Sequence, residues 1–379
     1  MCKITSFAML PSAPRLGARL RAIREQRGLS QDQLAELFGF NDRQTVSAIE
    51  TGERRLAADE LVLAVQKLGV SLEDFVDPFR LTGEGRFSWR QTGVSAARLE
   101  SFEAVAGRWI AAFREIAPQV GRPAPLLRRT LGLHKGSTFE EAMAAGERFA
   151  EEFELGEVPA ARLAEVMERE LAILVLMVDA VEGVSGAACR LPELDAVLIN
   201  RNDVAGRRHF DLAHELFHLL TWDAMPPDHV EEASETGRGR VEQLANNFAS
   251  ALLMPSKVLD KHADWKLLPR NGALIRLLKT VAEALQVTAT ALKWRLVALG
   301  HLTAKAARFI EDRLLASGAS RPRKSDLPLL FSRSFMEVLA SAVDQGRVSA
   351  RRAADLAGLT LDDLADLFDA HGVATPYAL

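Results

Sequence analysis

Apolar positions recur at helical spacing through the first eighty residues. Leu16, Leu20 and Ile23 mark one helix, which breaks at Arg27-Gly28-Leu29-Ser30. Ser30 is a good N-cap for a second helix carrying Leu34, Ala35 and Leu37, and Gly39 stops it. Asn41 or Asp42 can cap a third helix, with Val46 and Ile49 inward and Gly52 at its end. A fourth carries Leu61, Leu63, Val65 and Leu68, and a short fifth runs through Leu72 and Phe75 to Pro78. Short helices with tight turns predict a compact helical unit over residues 15–78, behind a loose leader at 1–14.

From 79 to 157 the spacing stays helical, with Phe102, Val105, Trp109, Ile110 and Phe113 in one series and Phe139, Met143, Phe149 and Phe153 in another. These aromatics read as core, and the segment as a helical connecting region broken by a loop at residues 121–125. The pattern then changes. Residues 171–178 (LAILVLMV), 184–190 and 196–200 are short, apolar and partly β-branched, separated by Gly183, Pro192 and Asp195. They predict a small antiparallel sheet. Helices follow near 207–222 and 241–254, with a charged surface loop near 236–240 between them. Residues 301–379 read as a helical C-terminal region, with a basic linker, Arg321-Pro322-Arg323-Lys324. The fold class expected is α+β, mainly helical.

Length and composition agree with this layout. At about 150 residues per domain, 379 residues predict two or three domains. Hydrophobic residues at 48% and charged ones at 26% are ordinary for a globular chain, not a disordered one. The net charge of -4 gives no global pull toward nucleic acid or membrane, so any DNA contact must come from local geometry. Two cysteines, Cys2 and Cys189, exclude a disulfide framework and a multi-thiolate zinc site. The longest apolar run, 171–178, is too short to span a bilayer, and the N-terminus lacks a secretory pattern. A cytoplasmic protein is expected.

The chemistry concentrates in His214-Glu215-Leu216-Phe217-His218, an H-E-x-x-H on a helix. Positions i and i+4 share one helical face, so both imidazoles can reach one metal ion. Glu215, rotated away from them, can take a proton from an activated water and later protonate a leaving amine. The flanking residues are apolar, so the helix is buried, and two buried histidines beside a buried glutamate need a partner such as a metal. Zinc requires a third protein ligand with the fourth position left to water. Among His229, Glu231, Glu232, Glu235 and Glu242, Glu242 is best placed, on the face of Ala245 and Ala249. The trio Glu231, Glu232 and Glu235 reads as a solvated charge run. His209 or His229 could donate to a tetrahedral intermediate, although each also suits a solvated loop. Manganese or iron would suit the same donors.

The run from Arg208 through the H-E-x-x-H to Leu220, followed by Glu242-Gln243-Leu244-Ala245-Asn246-Asn247-Phe248-Ala249 and on to Met254-Pro255, resembles the ImmA/IrrE metallopeptidase family. That pattern is F-x-x-A-H-E-x-x-H-L-L, then E-x-x-A-N-x-F-A-x-x-L-L-M-P. Phe217 stands where glycine is usual. The resemblance spans about 158–299 within a domain expected at 158–300. It implies a gluzincin-like zinc endopeptidase with Glu242 as third ligand, one that cuts a repressor or partner protein in response to DNA damage or stress.

Residues 29–35 (LSQDQLA) and 44–55 (QTVSAIETGERR) resemble an XRE/Cro-type helix-turn-helix. The resemblance implies that Arg43, Gln44, Thr45 and Ser47 face the major groove, that Gln31 touches phosphate or a base edge, and that Arg54 and Arg55 contact phosphate. Binding to a double-stranded operator as a homodimer would follow. From Arg15 to Glu60, however, eight arginines face eight acidic residues, a modest balance for a DNA grip, helped only by the arginines clustered on the first helix. Residues 280–299 and 351–368 share the helix-turn-helix cadence but read better as packing. Two functions follow: a zinc endopeptidase fused to a DNA-binding domain, whose substrate is a protein or the chain's own segment near 80–90; or an antitoxin-like DNA-binding regulator whose peptidase fold is a sensor or scaffold.

Overall fold

The computed structural model describes residues 12–122, 127–232, 239–268, 272–316 and 327–377. The first eleven leader residues, part of the 121–125 loop, Glu235, residues 236–238 of the charged loop and the basic run from Arg321 to Lys324 lie outside them, as does the Glu232 side chain.

Five helices open the chain: α1 (Ala13–Gln26), α2 (Gln31–Phe38), α3 (Arg43–Glu50), α4 (Ala58–Leu68) and α5 (Glu73–Val76). They occupy the stretch read as a helical unit, although α1 begins inside the expected leader, with Pro14 in its first turn where proline is tolerated. Ser30 and Gln33 form a reciprocal capping box on α2, and the Asp42 side chain caps α3 through the Thr45 N–H. Leu20, Ile23, Leu34, Val46, Ile49 and Phe75 form its separate core.

The chain continues through β1 (Arg86–Gln91), α6 (Ala96–Ile116), α7 (Phe139–Glu152), α8 (Pro159–Arg169), β2 (Ile173–Val178), β3 (Val184–Arg190), β4 (Asp195–Asn200), α9 (Ala205–Thr221), β5 (Val230–Glu232) and α10 (Arg240–Leu253). Then come α11 (Ser256–Leu259), α12 (Gly272–Ala284), α13 (Ala289–Ala298), α14 (Ala304–Phe309), α15 (Asp312–Ala316), α16 (Arg333–Asp344), α17 (Ala350–Ala357) and α18 (Leu361–Ala370). No helix among the described residues is long and apolar enough to cross a membrane.

The sheet corrects the sequence expectation twice. It has five strands in the order β2-β4-β3-β1-β5. It is mixed: β2 runs parallel to β4, and β5 parallel to β1, around an antiparallel β4-β3-β1 centre. The reading of 79–157 as a helical connecting region missed β1, although Phe87 and Trp89 alternate with Arg86, Ser88 and Arg90 as a strand requires. The segment near 80–90, considered as a self-cleavage linker, is thus built into the sheet over residues 86–90. A scissile bond there would have to leave a buried ladder, so the structure argues against that idea.

Both faces of the sheet are covered, which explains why the strands read as continuous apolar runs. Ile173, Val175, Val197 and Ile199 face α7 to α10 and the helices beyond. Leu174, Leu176, Ala196, Leu198 and Trp89 face α6 and α16 to α18. The C-terminal helices α16 to α18 therefore form one layer with α6; of the two later helix-turn-helix-like stretches, 351–368 packs in this layer and 280–299 in the opposite one. The helices α7 and α10 touch backbone to backbone at Gly146, where a Cβ would lie 2.4 Å from the Phe248 carbonyl oxygen.

Candidate metal centre

The helix α9 crosses β3 and β4 and buries nearly every side chain from Asp211 to Thr221. Along it, His214 and His218 project side by side, both 0% exposed, with their Nε2 atoms 3.0 Å apart. The neighbouring helix α10 presents Glu242 in its first turn. Its Oε2 lies 3.2 Å from His214 Nε2, and its Oε1 lies 3.3 Å from His218 Nε2. An ion bound tetrahedrally at about 2.0–2.2 Å holds its donors roughly 3.3–3.6 Å apart. The three pairs, at 3.0–3.3 Å, sit at or slightly inside that spacing, so the side chains converge closely enough to hold one small divalent cation after a small outward adjustment.

The residue beside Glu242 on the same helical face completes the support. Asn246, four positions on, accepts at Oδ1 from His214 Nδ1 at 2.9 Å. That bond leaves the Nε2 lone pair facing the cluster, as a metal ligand requires. In the sequence Asn246 stands out only as part of the second motif, but its i,i+4 spacing from Glu242 is a readable signal. Asn246→Ala is expected to lower zinc affinity by about 10–100-fold without removing a ligand, measured by competition with a chromophoric chelator. Unchanged affinity would show that the hydrogen bond orients nothing.

Glu215 is 1% exposed, and neither carboxylate oxygen has a hydrogen-bond partner among the described residues. Its chain rests on β3, with Cγ 3.9 Å from where a Cβ on Gly186 would stand. Burial raises its pKa to about 7, against the pull of the two histidines. Such a group exchanges protons near neutrality. Burial and the Arg90 cation pull His214 down, but hydrogen bonding to Glu231 and Glu242 outweighs them and raises it to about 9. Burial pushes Glu242 up, yet the two imidazoles hold it well below the usual carboxylate range. The concentration of buried carboxylates on two histidines is the electrostatic setting that a divalent cation neutralises.

Two further side chains enter the cluster that sequence analysis did not place there. Glu231, read as solvated, is 8% exposed, with Oε2 at 3.4 Å from His218 Nε2. Strand β5 buries it, pairing Glu231 with Arg90 across the parallel ladder. Arg90 arrives on β1, its Nη1 2.9 Å from His214 Nε2 and its Nε 3.1 Å from Asp211 Oδ1. Neither position follows from local sequence, because both depend on strand pairing. A cleft of about 1350 Å³ opens beside the cluster, lined by Arg90, Asp211, Asn246 and Phe139 and reaching α12 and α13.

Neither histidine considered as an oxyanion donor points at the cluster. His209 bonds the Gln286 carbonyl at 2.8 Å, and His229 pairs with Glu103 at 2.7 Å. Each ring is held by a nearer partner on another element.

On the helix-turn-helix, Arg43 and Gln44 are exposed at the start of α3, while Thr45 and Ser47 are half-buried. Thr45 is engaged with its capping residue, Asp42. Gln31 instead donates to Glu50 at 2.9 Å, and Glu50 pairs with Arg24 inside the bundle. Arg54 pairs with Glu60 at 2.6 Å. Of the α1 arginines, Arg19 and Arg24 are buried, and the exposed Arg21 pairs with Glu25 at 2.8 Å, which reduces the basic surface the cluster offers.

Residues 20–75 match the helix-turn-helix family, and residues 183–297 match the IrrE N-terminal-like domain. Over 116 residues the chain is 35% identical to the radiation response metalloprotease IrrE of Deinococcus deserti. That match covers 30% of this chain and 38% of the relative, so the chain spans about two fifths of the relative's length. A solved structure, the apo form of the competence regulator ComR from Streptococcus vestibularis, aligns over 96% of this chain and 100% of that one at 14% identity. Its TM-score of 0.16 carries no argument. The buried H-E-x-x-H helix thus falls inside the second matched stretch and the first covers the five-helix unit from within α1, so the chain joins a stretch matching the helix-turn-helix family to one matching the IrrE N-terminal-like domain.

Proposed function

We propose that this chain is a zinc-dependent endopeptidase fused to a DNA-binding helix-turn-helix. It would act in the cytoplasm on a repressor or co-encoded partner protein and so regulate transcription under stress. The observation that carries the reading is the donor spacing of His214, His218 and Glu242, with Asn246 behind His214. These three residues would hold the metal; manganese or iron fits the same donors. The ion would polarise the scissile carbonyl and make an attacking water acidic enough to ionise near neutrality. Glu215 would take that water's proton and hand it to the leaving amine. The adjoining cleft would seat the polypeptide, and Asn246 would keep the His214 ring in its ligating tautomer.

The test is elemental analysis of protein purified without added metal. About one zinc per chain is expected, lost in His214→Ala and in Glu242→Ala. No metal in the wild type, even after zinc is offered, would overturn the peptidase reading. The alternative is a DNA-binding, antitoxin-like regulator with the fold as scaffold. One observation favours it: the Arg90 guanidinium already lies 2.9 Å from the His214 nitrogen that a metal needs.

For DNA binding, the exposed start of α3 is the expected contact, in a homodimer on paired half-sites. Arg55, exposed and read as a phosphate contact, gives the test: Arg55→Ala is expected to weaken binding to a random duplex in fluorescence anisotropy. The slope of log affinity against log salt should fall by about one. A slope equal to the wild type's would remove Arg55 from the phosphate contacts.

A further inference from the structure

We infer that Glu231 is a fourth protein ligand of this metal centre, delivered by β5, so that the arrangement seen here is a closed form of the site. This rests on the metal reading above. Four donor atoms, one each from His214, His218, Glu231 and Glu242, lie within 4.8 Å of one another. The three-residue reading leaves one corner of the coordination shell open. Glu231 Oε2 lies beside the other donors, 3.4 Å from His218 Nε2 and 4.0 Å from His214 Nε2, and would fill that corner. Oε2 is buried, and its neighbours in the cluster are the His218 and His214 rings. A carboxylate oxygen turned toward two ring nitrogens in a buried site is a donor that a cation would complete.

The position is built, not incidental. Residues 230–232 add to the outer edge of β1 in register, with Trp89 opposite Val230 and Arg90 opposite Glu231. The Trp89 N–H donates to the His229 carbonyl at 2.9 Å. Glu103 then holds the His229 ring at 2.7 Å and accepts from the Trp89 indole at 2.5 Å. His229 is thus the peg that sets Glu231 against the metal site. Catalytic zinc centres keep one position for water, whereas centres with four protein ligands are closed. By filling that position, Glu231 holds hydrolysis off. The same three residues cover the edge of β1 on which an extended polypeptide could pair. Displacing so short a strand would free both the edge and the fourth position together.

The test uses the full chain as wild type, Glu231→Gln, Glu231→Ala and His214→Ala. Zinc affinity is measured by chelator competition. Access to the ion is read by titrating acetohydroxamate into the cobalt-substituted protein and following its visible absorption. Loss of the Glu231 carboxylate is expected to weaken zinc binding at least about tenfold with one metal per chain retained. It should also let acetohydroxamate bind at least about tenfold more tightly than it binds the wild type. Equal zinc affinity and equal acetohydroxamate binding in wild type and both Glu231 variants would overturn the fourth ligand and leave the three-ligand centre standing. Wild type without metal, indistinguishable from His214→Ala, would overturn both.

Discussion

Glu215→Gln should keep the bound metal and lose peptide hydrolysis by a factor on the order of 10²–10⁴, the usual contribution of a positioned general base. Glutamine preserves the shape of a side chain that is 1% exposed and packed on β3, so the fold and the donors at His214, His218 and Glu242 should be unaffected. What is lost is a carboxylate that burial raises to about 7. The amide keeps the shape but carries no charge and cannot take up the proton, so the variant separates chemistry from metal binding. The readouts are zinc per chain and cleavage of an unstructured protein substrate by the metal-loaded enzyme. Full cleavage by Glu215→Gln would remove Glu215 from the reaction. Lost zinc would show that its role is structural.

The largest stability effect is expected at Glu84, on the seam between the helix-turn-helix and the rest of the molecule. Its carboxylate pairs with Arg19 of α1 and with Arg114 of α6, whose side chains are 0% and 1% exposed. Arg19 also donates to the carbonyls of Phe75, Asp77 and Arg80 at 2.7–2.9 Å. Arg15 extends the seam to Glu115 and Glu193 at 2.9 and 3.1 Å. Two buried guanidinium groups thus lean on one buried carboxylate. Glu84→Ala would leave them under-neutralised, at a cost of about 3–5 kcal/mol. Urea unfolding, followed together with hydrogen exchange of the α1 amides, should show the loss first in the helix-turn-helix. An unchanged urea midpoint would mean that the carbonyl contacts of Arg19 suffice to hold the seam.

How far the site could be read differs residue by residue. The helices bearing His214, His218 and Glu242 were legible because their signals are local. An i,i+4 pair shares a face, and an apolar stripe fixes which way Glu242 turns. The five-helix unit was legible for the same reason, with Ser30, Asp42 and the glycine stops marking its ends. The parallel β2-β4 pairing was not, because a run such as ILVLMV fits either direction when both faces are buried.

Local patterns along the chain suffice for the helices, their caps, the H-E-x-x-H face and the apolar stripe of the helix bearing Glu242. Each depends on residues within about one or two turns of each other. Folding was needed to bring Arg90 to His214 across 124 positions. It alone turned Glu231 from a surface acid into a buried neighbour of His218, and sent His209 and His229 to other partners. The reason is physical. Strand pairing and ion pairing join residues that the chain keeps far apart, and burial then sets the charge state of whatever they bring together.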